Sequence, residues 1–191
     1  MKKINNTIIL ITAILLFIIS LILDKNISHF VSLIKNPFLD SIFNWFTNFI
    51  DVLVILTLVT TLFLFEEKKR EWVFPLWLSF ILSIVISFIL KLIIARPRPS
   101  IELFYPLINT LSYSFPSMHA MVAFAAVPIL DKKFEKLKWF WMLFAFLVAF
   151  SRVYSDFHFL SDVVFGAFAG YFIGALMVYV EEKYHPFKFL K

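Results

Sequence analysis

Residues 72–99 read WVFPLWLSFILSIVISFILKLIIARPRP, and this stretch decides the fold. Nothing from Trp72 to Leu90 is charged. A run of that character matches the ~20 apolar residues that a helix needs to cross a hydrocarbon core ~30 Å thick. The run closes on Lys91, Arg96 and Arg98, and Pro97 and Pro99 stop any continuation of the helix. Ionisable groups beside a membrane-spanning segment are costly to keep, by roughly 2.5–3.5 kcal/mol each at mid-bilayer, so they mark a site.

Similar apolar runs fill the rest of the 191-residue chain. They lie near residues 6–23, 48–65, 72–94, 117–130, 139–153 and 161–180. The chain is 61% hydrophobic with a mean hydropathy of +0.89, well above a soluble globular protein. Backbone polar groups cannot go unpaired in lipid, so spans of this kind are helices. The expectation is an all-α membrane protein: a six-transmembrane-helix bundle forming a single domain over residues 1–191. The fourth and fifth runs are short and serve as spans if their outer ends lie in a sunken, protein-lined pocket. The first follows Lys2-Lys3. Its apolar part, Ile8 to Leu23, is long for a signal peptide and no A-x-A-like site follows it, so it reads as a retained anchor.

Charge sets the orientation. Two Lys/Arg precede the first run, three lie in the 66–71 loop, four in the 131–138 loop and three in the C-terminal tail, twelve of the eighteen in the chain. Lys25, Lys35, Lys91, Arg96, Arg98 and Arg152 lie on the other side. By the positive-inside rule both termini are cytoplasmic, and the polar clusters face the periplasm or exterior. This topology accounts for the net charge of +5 without nucleic acid, and its further implication is a surface facing anionic lipid. Trp45 on the outer side and Trp72, Trp139 and Trp141 on the inner lie where aromatic belts are expected. Residues 24–47 are semi-polar, with Ile27, Phe30, Val31 and Ile34, then Leu39, Ile42, Phe43 and Phe46, at helical spacing on either side of Pro37. An amphipathic outer-surface segment between helices 1 and 2 fits this pattern, and a packed loop cap fits it equally. The absence of cysteine excludes a disulfide framework and a thiolate metal site.

Three clusters carry chemistry: Lys91-x6-Arg98-Pro99, Pro116-Ser117-Met118-His119 and Ser151-Arg152-x5-His158-x3-Asp162. His158 and Asp162 are four apart and share a face on a helix. An Asp that accepts a proton from one imidazole nitrogen fixes the tautomer and leaves the other nitrogen free to attack. Arg152 offers a planar fork to phosphate oxygens, and Lys91 and Arg98 add charge from the end of the third helix. Pro116-Ser117 marks a helix start, whose free N–H groups attract anions, so Ser117 Oγ and the nearby amides can bind an equatorial oxygen. His119 is then placed to protonate a leaving group. Each piece alone has a plainer reading: snorkelling anchors for Lys91, Arg96 and Arg98, a polar cap for His119, a structural pair for His158 and Asp162. All three clusters fall on one side of the membrane, which these separate readings leave as coincidence. Two histidines and an Asp can also ligate zinc, but three cations in the same pocket repel a divalent ion and favour an anion. No metal and no cofactor is expected.

In order, internal spacing and six-span layout, the three clusters resemble the motifs of the type 2 phosphatidic acid phosphatases. The match covers about residues 85–170, and the N-terminal third agrees in layout only. The resemblance implies a metal-independent phosphatase working through a phosphohistidine. His158 is then the nucleophile, Asp162 orients it and His119 is the general acid. Lys91, Arg98, Ser117, the Met118 amide and Arg152 hold the phosphate. Two departures stand out. Met118 replaces the Gly usual between the Ser and His of the second motif, which requires that φ > 0 is not needed there. Ser155-Asp156 replaces a frequent Leu-Gly before the nucleophile, so a carboxylate either faces the substrate or points to solvent.

The expected function is hydrolysis of a lipid phosphomonoester or diphosphate, the substrate partners being phosphatidate, phosphatidylglycerol phosphate, polyprenyl diphosphate or lipid A 1-phosphate. Alternatives are a phosphotransferase using the same phosphohistidine, and a non-catalytic lipid-phosphate carrier. Pure binding needs only the cations, so His158, Asp162 and His119 together speak against the carrier. The soluble haloperoxidases, with a similar pocket, are excluded by the six spans.

Overall fold

A backbone among apolar side chains has to pair its own N–H and C=O groups. The computed structural model describes residues 6–66, 69–99 and 113–186, and there it does so with seven α-helices and short 3-10 turns, without a strand. The helices are α1 (Asn6–Ile34), α2 (Pro37–Thr47), α3 (Phe49–Glu66), α4 (Val73–Ile94), α5 (Met118–Lys133), α6 (Lys138–Tyr154) and α7 (Leu160–Tyr184). Among the described residues four helical stretches are long and apolar enough to cross a membrane: Ile8–Ile34, Arg70–Ile94, Glu135–Tyr154 and Leu160–Tyr184. The outer faces are those of a protein in lipid, with Ile22, Leu33, Ile93 and Phe146 exposed. The Lys2-Lys3 pair, Lys68 and the tail beyond Pro186, all used in the charge count, lie outside the described residues.

The bundle is organised around α5. Its residues Ala120 to Ala123, Ala125 to Val127, Ile129 and Leu130 are all buried, because α4, α6 and α7 surround it. A helix shielded by protein has little lipid to match, which explains its 16 residues. Towards α5 the fourth helix turns Leu76, Ser79, Phe80 and Ser83, and outward it turns Ile81, Leu92 and Ile93. The serine hydroxyls bond back within α4, Ser79 to the Leu76 carbonyl at 2.7 Å and Ser83 to the Ser79 carbonyl at 2.8 Å. Small residues let helices approach closely where apolar burial gives no drive for association. The α5–α7 contact depends on this. A Cβ on Gly170 would lie 2.1 Å from the Met121 carbonyl oxygen, and one on Gly174 would lie 2.2 Å from that of Ala125.

The apolar runs fall on α1, α3, α4, α5, α6 and α7, to within one residue at their starts, but the first helix departs from expectation. It continues without a break to Ile34, through Asp24 and Lys25, and so takes in the first half of the semi-polar stretch. The physical reason is that Asp24 is 4% exposed and paired inside the bundle, so it does not end the helix. The second half of the stretch is α2. Asn36 caps it, accepting the Leu39 N–H at 3.0 Å, and Pro37 occupies its first turn. Phe43 of α2 packs on Phe150 and Tyr154 of α6, with centroids 5.2 and 4.7 Å apart.

Candidate active site

The three clusters are carried by the ends of α4, α5, α6 and α7. Helix α4 closes with Ala95 in the left-handed region, φ 48°, its N–H on the Lys91 carbonyl at 3.0 Å. Arg96 then accepts the Ser114 N–H at 2.7 Å, which brings the segment leading into α5 alongside. Lys91 is 3% exposed and donates from Nζ to the Tyr113 carbonyl and, at 3.4 Å, to that of Ser114. The Ser117 N–H bonds the Asp162 carbonyl at 3.1 Å, tying the start of α5 to the first turn of α7. Between α6 and α7 the chain folds back on itself: Phe157 and His158 both donate N–H to the Arg152 carbonyl at 3.1 Å. That turn sets His158 beside Arg152.

A cavity of about 530 Å³ results. Lys91, Arg98, Met118, His119, Arg152 and His158 line it, six of the eight residues singled out from the sequence. Ile84, Val85, Phe88 and Ile89 of α4 complete it with an apolar wall. The other two stand behind. Ser117 is fully buried and accepts the Ala120 N–H at 3.5 Å, so its hydroxyl sits as the cap of α5 and not in the cavity lining. Asp162 is fully buried, beside His158 and outside the cavity lining.

His158 Nδ1 is 3.7 Å from Asp162 Oδ2, beyond a formed hydrogen bond but close enough for the carboxylate to orient the ring. This leaves Nε2, across the ring, as the nitrogen for the pocket. Burial pushes the imidazole well below its ordinary value, so His158 is neutral at physiological pH. The carboxylate itself is immobilised. Oδ2 accepts from the Ser114 hydroxyl and from the Phe159 N–H at 2.8 Å, and Oδ1 accepts from Arg96 at 2.7 Å.

The cations have aromatic neighbours. The guanidiniums of Arg152 and Arg98 lie 4.4 and 5.3 Å from the Phe157 ring centroid, and that of Arg96 lies 4.1 Å from Phe159. A negative ring face beside two like charges lessens the cost of crowding them together.

Both departures from the motifs have a local account. Among the described residues the non-glycine positions with positive φ are Ala95, Asp156 and His185, so Met118 needs no left-handed backbone. Asp156, at φ 55°, occupies the conformation that glycine takes most readily. Its carboxylate pairs with Lys35 at the end of α1, away from the cavity. Sequence reading passed over Asp24, Ser114, Ser161, Phe157 and Phe159, and took Arg96 only as a neighbouring cation. The signal for Asp24 was present: an isolated carboxylate at the end of an apolar run asks for a partner.

Residues 72–186 match the model of the PAP2 superfamily. The chain is 35% identical over 133 residues to the undecaprenyl-diphosphatase of Sulfolobus acidocaldarius, an alignment covering 65% of this chain and 62% of that protein, just under two thirds of its length. It is 29% identical to phosphatidylglycerophosphatase B of Bacillus subtilis, over 86% of each. The crystal structure of a transmembrane PAP2-type phosphatidylglycerolphosphate phosphatase from Bacillus subtilis superposes with a TM-score of 0.71 at 26% identity, covering 93% of this chain and 98% of that one. With this family match over most of its length, and with helices built for lipid, the chain belongs to the PAP2 superfamily.

Proposed function

We propose that this protein hydrolyses the phosphate or diphosphate of a membrane lipid through a phosphohistidine on His158. The observation that carries the reading is the composition of one cavity: a buried neutral histidine, a second histidine and three cations, closed on one side by the apolar α4 wall. The cations suit a phosphate. The wall of Ile84, Val85, Phe88 and Ile89 suits a hydrocarbon chain that leaves the pocket sideways into the bilayer. The names of the relatives, a polyprenyl diphosphatase and a phosphatidylglycerophosphatase, favour those two lipid classes as substrates.

In this mechanism His158 Nε2 attacks the terminal phosphorus while its bond to the leaving oxygen breaks. The leaving oxygen is the ester oxygen of a monophosphate or the bridging oxygen of a diphosphate, so that the alcohol or the shortened lipid phosphate leaves. His119 gives that oxygen a proton. Water then attacks the phosphohistidine, losing a proton to His119, and inorganic phosphate departs. Lys91, Arg98, Arg152 and the Met118 amide hold the equatorial oxygens, where preorganised donors are worth about 2.7–4 kcal/mol each. Asp162 holds the ring and stabilises the charge that His158 gains. In the same reading α3 and α5 complete six spans of a single domain, with the site on the outer side, both termini cytoplasmic and α2 on the outer surface.

Phosphate release from a panel of lipid phosphates and diphosphates in detergent, with EDTA present, tests this. Release by the wild type and none by His158→Ala is expected. Appreciable turnover by His158→Ala would sink the covalent step, and a phosphorylated acceptor in place of free phosphate would make the protein a transferase.

A further inference from the structure

Arg96 stands outside the cavity, and none of the three motifs needs it. Yet its guanidinium makes three side-chain hydrogen bonds and a ring contact beside the site. One guanidinium nitrogen donates to Asp162 Oδ1 and to Ser161 Oγ, both at 2.7 Å. The other terminal nitrogen donates to Asp24 Oδ2 at 2.7 Å, and the Phe159 ring lies against the group at 4.1 Å. Asp24 is itself held by Ser161, whose N–H and hydroxyl donate to it at 2.8 and 2.6 Å. A helix of the N-terminal third, the segment after α4 and the first turn of α7 therefore meet at one guanidinium between two buried carboxylates.

Resting on the phosphatase reading above, we infer that Arg96, locked by Asp24, is a positioning residue that fixes the Asp162 carboxylate against His158. Asp162 has two oxygens and only one of them faces the histidine, at 3.7 Å. With Oδ1 bound to Arg96, the carboxylate cannot rotate about its axis without breaking a charge-assisted bond. The orientation that remains presents Oδ2 to Nδ1 and selects the tautomer with the proton there. Arg96 also sets a positive charge 2.7 Å from each of the two buried carboxylates, Asp24 and Asp162. Asp24 acts at one further remove, since it fixes where the guanidinium sits. The α1 helix is thereby part of the catalytic apparatus rather than an anchor alone.

The experiment compares wild type, His158→Ala, Arg96→Gln, Arg96→Lys, Asp24→Asn and the double variant Asp24→Asn/Arg96→Gln. Each is purified in detergent and assayed on farnesyl diphosphate and on a short-chain phosphatidate, with the folded fraction measured by thermal melting. Expected for Arg96→Gln is a fall in kcat per folded molecule of about 10–100-fold with KM nearly unchanged. Arg96→Lys, which keeps the charge, should recover part of it. Asp24→Asn should cost less, and the double variant no more than Arg96→Gln alone. Unchanged kcat per folded molecule, or a loss confined to KM, would overturn the positioning role; a loss that follows only the unfolded fraction would reduce the network to a structural tie. A second readout is independent of turnover. In protein with ¹⁵N-labelled histidine, the imidazole shifts of His158, assigned by their loss in His158→Ala, should report a single Nδ1–H tautomer that becomes a mixture in Arg96→Gln. A wild type that releases no phosphate would defeat the phosphatase reading, and the tautomer would then decide the positioning by itself.

Discussion

At Asp162 one carboxylate holds four neighbours in place. It receives Ser114, Phe159 and Arg96, and it faces His158. Asp162→Asn keeps the volume but offers an N–H where an acceptor is needed, so His158 loses its tautomer preference. Turnover is expected to drop by roughly 10²–10⁴-fold while KM moves little, as steady-state kinetics on a detergent-soluble lipid phosphate will show; a pure KM effect would argue against an orienting role. Asp156 predicts the reverse. Its left-handed backbone favours glycine by about 1–2 kcal/mol, and its partly exposed pair with Lys35 is worth no more than about 1 kcal/mol. Asp156→Gly is therefore expected to keep activity and to melt within a few degrees of wild type. A large loss of activity would mean that this carboxylate takes part at the site after all.

Among the elements, the pairing of α5 with α7 matters most, because it places the start of one helix on the first turn of the other. The Ser117 N–H reaches the Asp162 carbonyl only while the two axes stay close, and Gly170 and Gly174 permit that. In Gly170→Ala the new methyl would meet the Met121 backbone, which cannot swing aside as a side chain can. Overpacking of this kind costs about 1–3 kcal/mol. A lower melting temperature is expected, with a fall in kcat as His119 shifts relative to His158; a variant as stable as wild type would mean that the helices part without cost. The pairing of α2 with α6 through Phe43 and Tyr154 has a similar consequence for the other side of the site. Tyr154 donates to Asp40 at 2.7 Å, which anchors the helix that ends just before the His158 turn.

For the whole molecule, orientation in the membrane is the property to measure. The chain has no cysteine, so single replacements give clean reporters. Asn44→Cys on α2 and Lys136→Cys in the turn before α6 are both at exposed positions. A membrane-impermeant thiol reagent applied to intact cells is expected to label Asn44→Cys, and to label Lys136→Cys only after permeabilisation. The opposite pattern would invert the topology and put the site in the cytoplasm.

The sequence by itself determined the helices and the contents of the pocket. Long apolar runs in lipid have one way to pair their backbone, and Lys91, Arg98, His119, Arg152 and His158 stand out because charge beside such runs is costly and rarely idle. It could not determine how far α1 runs, since Asp24 and Lys25 look like the end of a span until Asp24 is seen with its partner. Nor did it show that the Ser117 hydroxyl caps α5, or where the Asp156 carboxylate turns. Those answers belong to tertiary structure for one reason. A charge in an apolar sequence declares that it must have a partner, but Asp24, Arg96 and Asp162 are separated by 72 and 66 positions along the chain, and only the packing of α1, α4 and α7 brings them together.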